Sequence, residues 1–369
     1  MRVAIVHPWF LEEGGAEKVA NVFAEMYPDA DLFMLSGDPS LLPSHFRERK
    51  VTGSFINKLL LHFGFLRRFA FPLYPSAIES LDVSRYDLII STCPPVMGLS
   101  VSQDAIHICY CHTPAHAWWD SYSYHQAKLP FLPRLIYVAA AVFYRMWEFS
   151  AMQRVDRVVV NSHYVSRRVF KYFRRESTVI YPPVDTSVGY LRSDHDDYYL
   201  TVSRITAGKR IDLLVDACNK LGRNLTIVGT GNHLNKLKSI AGPTIKFLGH
   251  VPDADLNAVY AGCRAFLFAA DEDFGMATVE AQAFGRPVIA YGYGGSLETV
   301  RVGDAMGRPD TGVYFSEQTI ESVIDSIQRF EAAESSFVPH EIQEHARSFD
   351  KSVFIARMRE FVGASLPNR

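Results

Sequence analysis

Asp271-Glu-Asp-Phe-Gly-Met-Ala-Thr-Val-Glu-Ala-Gln-Ala-Phe-Gly-Arg-Pro-Val-Ile-Ala290 reads as a strand end, a glycine turn, a helix and a Gly285-Arg-Pro exit into another strand. A helix that opens at Gly275-Met276 aims its first backbone N–H groups outward, which makes a ready anion site. Glu272 stands before the turn, and Glu280 lies about a turn and a half into the helix. One carboxylate suits sugar hydroxyls, the other a ribose diol. Glu17 and Glu25 share this spacing on what reads as an ordinary surface helix. The spacing gains its meaning from the Phe-Gly turn and the Gly-x-Pro exit.

The same strand–helix alternation extends in both directions. Towards the N-terminus it gives strands at 198–203, 225–228, 245–248 and 265–268, and beyond the segment one at 288–291. Helical patterns fall at 211–221, 232–240, 253–261, 275–284 and 317–332. Tyr181-Pro182-Pro183 and the polar run at 192–197 mark a linker, and before it a second alternation begins at 3–6, closed by His7-Pro8. Its further strands are expected at 88–91, 106–110, 158–160 and 179–181. The fold class is therefore α/β, two doubly wound Rossmann-like domains, with a cleft at the carboxyl ends of the sheets. A chain of 369 residues exceeds what one core usually supports.

Composition narrows the function. Apolar residues make up 48% of the chain and charged ones 21%, which excludes disorder, collagen-like repeats and coiled coils. With 38 Lys+Arg against 40 Asp+Glu, the chain is not a nucleic-acid binder by charge. The five cysteines are sparse and odd in number, as expected in a reducing compartment, and Cys109-x-Cys111 reads as two strand-edge thiols. Asp-x-Asp recurs at four places, too cheaply to assign a metal. His7-Pro8 and Glu12-Glu13 interrupt any signal-peptide pattern, and no run reaches membrane-spanning length. The expected location is cytoplasmic.

Four further constellations carry chemistry. In Val202-Ser-Arg-Ile-Thr-Ala-Gly-Lys-Arg210, Arg204 and Lys209 follow a strand and suit a departing diphosphate. Val228-Gly229-Thr-Gly231 resembles a dinucleotide fingerprint without its third glycine, which disfavours a nicotinamide dehydrogenase. Gly294-Gly295 offers either a backbone approach to phosphate or a plain tight turn. His112 follows a strand with His116 and Asp120 nearby, but no Ser or Cys nucleophile completes a triad. Residues 49–78 contain no acid, and they interleave Arg49, Lys50, Lys58, Arg67 and Arg68 with Phe and Leu. That pattern fits either an anionic membrane surface or a core helix with solvated arginines. The acid-free, aromatic-rich stretch at 121–147 supports the first.

Gly14-Gly15-Ala-Glu-Lys, Cys109-Tyr-Cys-His-Thr-Pro114, Val179-Ile-Tyr-Pro-Pro-Val-Asp185, Val202-Ser-Arg and Glu272-Asp-Phe-Gly with Glu280-Ala-Gln-Ala resemble retaining glycosyltransferases of family 4. Within it the motifs look closest to bacterial O-antigen and exopolysaccharide mannosyltransferases that use GDP-mannose. The resemblance implies a GT-B fold. Residues 1–182 would form an acceptor domain, 183–348 a nucleotide-sugar donor domain, and 349–369 a helix crossing back. It implies that Arg204 and Lys209 bind the donor diphosphate, and that Glu272 with the backbone of Phe274, Gly275 and Met276 holds the sugar. Glu280 would hold the ribose, with Gly229 near the nucleotide. His112 would stabilise positive charge at the reacting carbon, and the Gly14–Gly15 loop would close over the phosphates. The implied partners are a nucleotide sugar and a glycan acceptor, lipid-linked, at the cytosolic face of the inner membrane. No metal or other cofactor is implied. His116, Gly208 and Thr278 depart from the family's usual Arg, Tyr and Pro. Alternatives on the same fold are a UDP-linked hexose or N-acetylhexosamine donor, or a non-catalytic nucleotide-sugar binder.

Overall fold

The computed structural model describes residues 1–10, 14–38, 42, 46, 49–64 and 70–366. Glu12, Glu13, Arg67 and Arg68, named above, lie outside them. The chain divides into two units: Met1–Tyr181 with Ile355–Arg369, and Pro182–Phe354.

The first unit holds a seven-stranded sheet of β1 (Val3–Phe10), β2 (Asp31–Gly37), β3 (Val51–Gly53), β4 (Leu88–Thr92), β5 (Ile106–Cys111), β6 (Arg157–Val160) and β7 (Thr178–Val179). All neighbours are parallel, in the order β3-β2-β1-β4-β5-β6-β7. Parallel strands are buried on both faces and read as unbroken apolar runs. Ala4, Ile5 and Val6 of β1 and Leu88, Ile89 and Ile90 of β4 are accordingly inaccessible to solvent. β1 runs two residues past the expected His7-Pro8 stop. Its pairing with β4 ends at Val6 opposite Ser91, while pairing with β2 continues to Phe10 opposite Gly37. Pro8 therefore falls where β1 has a neighbour on one side only, and its missing N–H costs little. Ser162 caps the helix His163–Phe173 by accepting from Val165 N–H at 3.1 Å.

The second unit repeats the plan with six parallel strands: β8 (Tyr199–Val202), β9 (Leu225–Val228), β10 (Ile245–Gly249), β11 (Ala265–Phe268), β12 (Val288–Tyr291) and β13 (Gly312–Phe315). Their order is β10-β9-β8-β11-β12-β13. Alternation along β11 feeds both cores. Ala265 and Leu267 pack with Ile227 and Ile327 on one face, and Phe266 and Phe268 with Leu200 and Ala281 on the other.

Three strands, β2, β3 and β13, were not marked by the sequence pattern. β2 is built from Leu, Phe and Met rather than β-branched residues, and β3 and β13 span three and four residues. Cys109 and Cys111 do not lie at a sheet edge. Both are buried on the interior strand β5, and burial pushes the Cys109 thiol up to about 12. Residues 49–78 do not form one amphipathic helix. They contain β3, the helix Asn57–His62, a 3₁₀ turn at Phe71–Leu73 and the helix Tyr74–Glu79. Ile56 and Leu60 are core residues, whereas Phe55, Leu59 and Phe63 are exposed.

Candidate active site

In each unit the strand order reverses beside the first strand, between β1 and β4 and between β8 and β11. The carboxyl ends of those strands are where doubly wound sheets bind ligands. In the second unit Arg204, Lys209 and Glu272 follow β8 and β11, and in the first unit Gly14 follows β1 and His112 follows β5.

In the second unit, Val202 ends β8, and Arg204 and Lys209 follow in the next loop. Lys209 closes a 3₁₀ turn, Ala207–Lys209, and its N–H bonds Thr206 O at 3.2 Å. Phe268 ends β11, and Glu272 follows. Because β8 and β11 are neighbours, Lys209 donates a short ion-paired hydrogen bond to Glu272, each side chain one-quarter exposed. Arg204 is exposed on the same loop. Behind Glu272, Gly294 and Gly295 let two backbones touch. A Cβ on Gly295 would lie 2.3 Å from Phe274 Cα, and Gly295 N–H donates to Glu272 O at 2.8 Å. The pair of glycines thus seats the Glu272 backbone. Gly229 has a similar part: a Cβ there would meet Ser203 O at 1.9 Å, and Ser203 N–H bonds Val228 O at 3.1 Å. Its lack of a side chain lets the Arg204 loop pack against β9's end.

The helix after Glu272 is Met276–Ala283, with Gly275 as its N-cap at φ +86°. Met276 and Ala277 open it, and Thr278 is buried beneath. Thr278 Oγ1 donates to Gly275 O at 2.7 Å and lies in hydrogen-bond contact with Thr299 Oγ1 at 2.8 Å. Gln282 Nε2 then binds Thr278 O and Thr299 O at 3.0 and 2.8 Å. The threonine that stands in a proline's usual place is therefore an anchor for the turn. Phe274 turns into the core against Phe349, ring centroids 5.7 Å apart, so only its backbone is available to a ligand. Glu280 accepts from the buried Tyr260 hydroxyl at 2.9 Å. Burial, with the Glu280 charge adding, drives the Tyr260 phenol far above its ordinary range, so it stays a donor. A Cβ at Gly208 would meet nothing within 4 Å, so a side chain has room there.

In the first unit, His112 follows β5 and lies half-buried with its ring 5.1 Å from Tyr110. Gly14 caps the helix Gly15–Met26, whose first turn carries Glu17. Glu17 is no ordinary surface residue, contrary to the sequence expectation. Its carboxylate lies 3.6 Å from Nε2 of the buried His7, whose Nδ1 meets Thr92 Oγ1 at 2.5 Å. Burial raises the Glu17 pKa, but the His7 imidazole beside it, with His112 adding, holds it below the usual carboxylate range. His7, Thr92, Glu17 and His112 thus form one electrostatic group at the β1–β4 switch point. Sequence reasoning missed Glu17 and His7, although Glu17 stands two residues after the glycine pair that opens the helix of a strand–turn–helix unit.

The loop after His112 is pinned by a third missed residue. Arg168, 7% exposed on the helix His163–Phe173, reaches Thr113 Oγ1 at 2.5 Å, His116 Nδ1 at 3.0 Å and the Asp120 carboxylate. A cation does occupy this region, supplied from another helix rather than from position 116. Beyond it, Trp119 Nε1 donates to the buried Glu148 at 2.7 Å.

Two family models meet end to end on this chain. "Glycosyltransferase Family 4" matches residues 14–188, and "Glycosyl transferases group 1" matches residues 188–349. An alpha-1,3/1,6-mannosyltransferase of Candida glabrata is 24% identical over 267 residues, 57% of this chain and 55% of the relative. Its counterpart in Saccharomyces cerevisiae is 25% identical over 308 residues, 67% of this chain and 58% of the relative. The chain thus spans a little over half the length of these curated relatives. The crystal structure of the Anabaena HepE protein in complex with UDP superposes with a TM-score of 0.73 at 17% identity, covering 99% of this chain and all of that one. Its fold is GT-B, two Rossmann-like domains carrying the family's motifs in order, and the chain belongs to the family 4 glycosyltransferases.

Proposed function

We propose that this chain transfers mannose from GDP-mannose, with retention of configuration, to a lipid-linked glycan acceptor in the synthesis of a cell-surface polysaccharide. The observation that carries the reading is the Lys209–Glu272 pair at the β8–β11 switch point, beside the helix that opens at Met276. The mannosyltransferase names of the sequence relatives support the choice of sugar.

The chemistry follows from the charges. The donor's diphosphate competes with Glu272 for Lys209, and Arg204 adds a planar fork. Glu272, released from the lysine, accepts from sugar hydroxyls, and the amides at Phe274–Met276 add donors. Glu280, fixed by Tyr260, takes the ribose diol. The anomeric carbon–oxygen bond to phosphate breaks as the acceptor oxygen bonds the same carbon from the same face. The acceptor's proton passes to the departing phosphate oxygen. Arg204 and Lys209 stabilise charge on the leaving group, and His112 steadies the cationic sugar. No metal takes part, and the enzyme works from the cytosolic side.

Thermal denaturation with added donors tests this. GDP-mannose without divalent metal should raise Tm more than UDP-glucose, UDP-galactose or UDP-N-acetylglucosamine. A larger shift from any UDP-sugar, or dependence on Mg²⁺ or Mn²⁺, rejects the donor assignment in favour of the UDP-linked alternative or a metal-assisted enzyme.

A further inference from the structure

The helix Phe131–Gln153 is inverted. A helix on the surface of a soluble domain turns its apolar stripe inward and its polar side chains to water. Here four of its polar side chains face the protein. Tyr137 donates to Ala117 O, Tyr144 to Phe71 O at 2.8 Å, Arg145 to Trp118 O at 2.6 Å, and Glu148 accepts from Trp119. The outward face carries Leu132, Leu135, Ile136, Val142, Phe143 and Met146, each at least half exposed. Phe131 begins it at 78% exposed and Phe149 ends it at 41%. At 100° per residue these positions fill an arc of about 140° along some 30 Å of helix. A patch of that extent marks an interaction surface.

Charge decides the partner. Residues 121–147 contain Lys128, Arg134 and Arg145 and no acid. Arg145 is turned inward against Tyr122, 4.4 Å from its ring centre, while Lys128 and Arg134 are exposed at the helix's N-terminal end. The buried side of this helix packs on the other acid-free segment: Tyr144 shares a core with Leu60, Ala70 and Tyr74, and its ring lies 5.9 Å from Phe71. A second copy of the chain would bring cations to cations with no carboxylate on this face to pair with them. An anionic bilayer satisfies both the apolar arc and its basic margin. Among the described residues no helix is long and apolar enough to cross a membrane.

We infer that the outward face of Phe131–Gln153 is an interfacial docking surface for anionic lipid, lying in the headgroup layer with Leu132, Phe143 and Met146 in the acyl boundary. The contact assigned from sequence to residues 49–78 is thereby placed chiefly on a different element. This deepens the reading of a lipid-borne acceptor, yet it involves no donor, so donor-induced thermal shifts and lipid binding fail separately.

The test is flotation of the full chain with vesicles of phosphatidylcholine, with and without phosphatidylglycerol. The protein should float with the anionic vesicles, stay behind with the neutral ones and be released as salt rises. Phe143→Ser with Met146→Ser should weaken partitioning at least about tenfold, and Lys128→Ala or Arg134→Ala about fivefold each. All four side chains are exposed, so circular dichroism and Tm should stay unchanged. Phe55→Ser with Phe63→Ser is the rival pair and should weaken binding less. Equal flotation of wild type and the Phe143/Met146 variant overturns the inference, as does a larger loss from the Phe55/Phe63 pair. A wild-type dimer in sedimentation that Met146→Glu disperses would instead assign the face to a second copy.

Discussion

Substituting Glu148 by Gln tests how the first unit holds the loop that follows His112. Glu148 is 1% exposed and bonded by Trp119 Nε1 at 2.7 Å. Burial lifts its pKa from 4.5 to about 7, while the Trp119 bond pulls the other way. Since the folded pKa stands above the unfolded one, the native state binds the proton more tightly. The resulting stabilisation is fully present below pH 4.5 and is lost as pH rises through 7. A displacement of that size corresponds to about 3 kcal/mol. For a unit of roughly 200 residues this is a fall in Tm of about 6–12 °C. Glu148→Gln keeps an oxygen for Trp119 and cannot titrate. Calorimetry from pH 4.5 to 8 should show wild type losing more stability than the variant, the two curves diverging as pH rises. Parallel curves would mean that Glu148 titrates as it does in water and that its burial carries no electrostatic cost.

Arg204→Ala and Lys209→Ala should each lower turnover by about 10²–10³, the scale of one lost transition-state donor, with Tm little changed. Near-normal turnover in a folded variant rejects the roles proposed for these cations. Thr278→Val removes a buried hydroxyl that serves both Gly275 O and Thr299, and should cost about 1–3 kcal/mol in denaturant unfolding. A neutral result would show that this anchor is dispensable to the turn.

The second unit was the more legible of the two because its elements carry strong punctuation. Gly275 before a helix and Gly285-Arg-Pro after it bound the element to within a residue of Met276–Ala283. β2 was not legible, because Leu and Met serve a buried strand and a buried helix alike and periodicity cannot separate them over seven residues. Glycines were visible in the sequence, but not what they touch. Gly229 reads as lying near a nucleotide and Gly294-Gly295 as either an approach to phosphate or a tight turn, and in the structure they bring backbone against backbone, at Ser203 and at Glu272–Phe274.

The contacts among site residues escaped for a different reason. Lys209 and Glu272 are 63 positions apart, and only the adjacency of β8 and β11 brings them together. Arg168 reaches Asp120 across 48 positions in the same way. Glu17 was set aside because spacing along a helix says which residues share a face but not what that face meets. What it meets is His7, a histidine buried where β1 outruns its pairing with β4. Sequence periodicity therefore names the strands and the loops that end them, while the strand order determines which of those loops lie side by side. In both units the polar groups converge where that order reverses, so a chemical grouping built from distant positions becomes readable only once the topology is known.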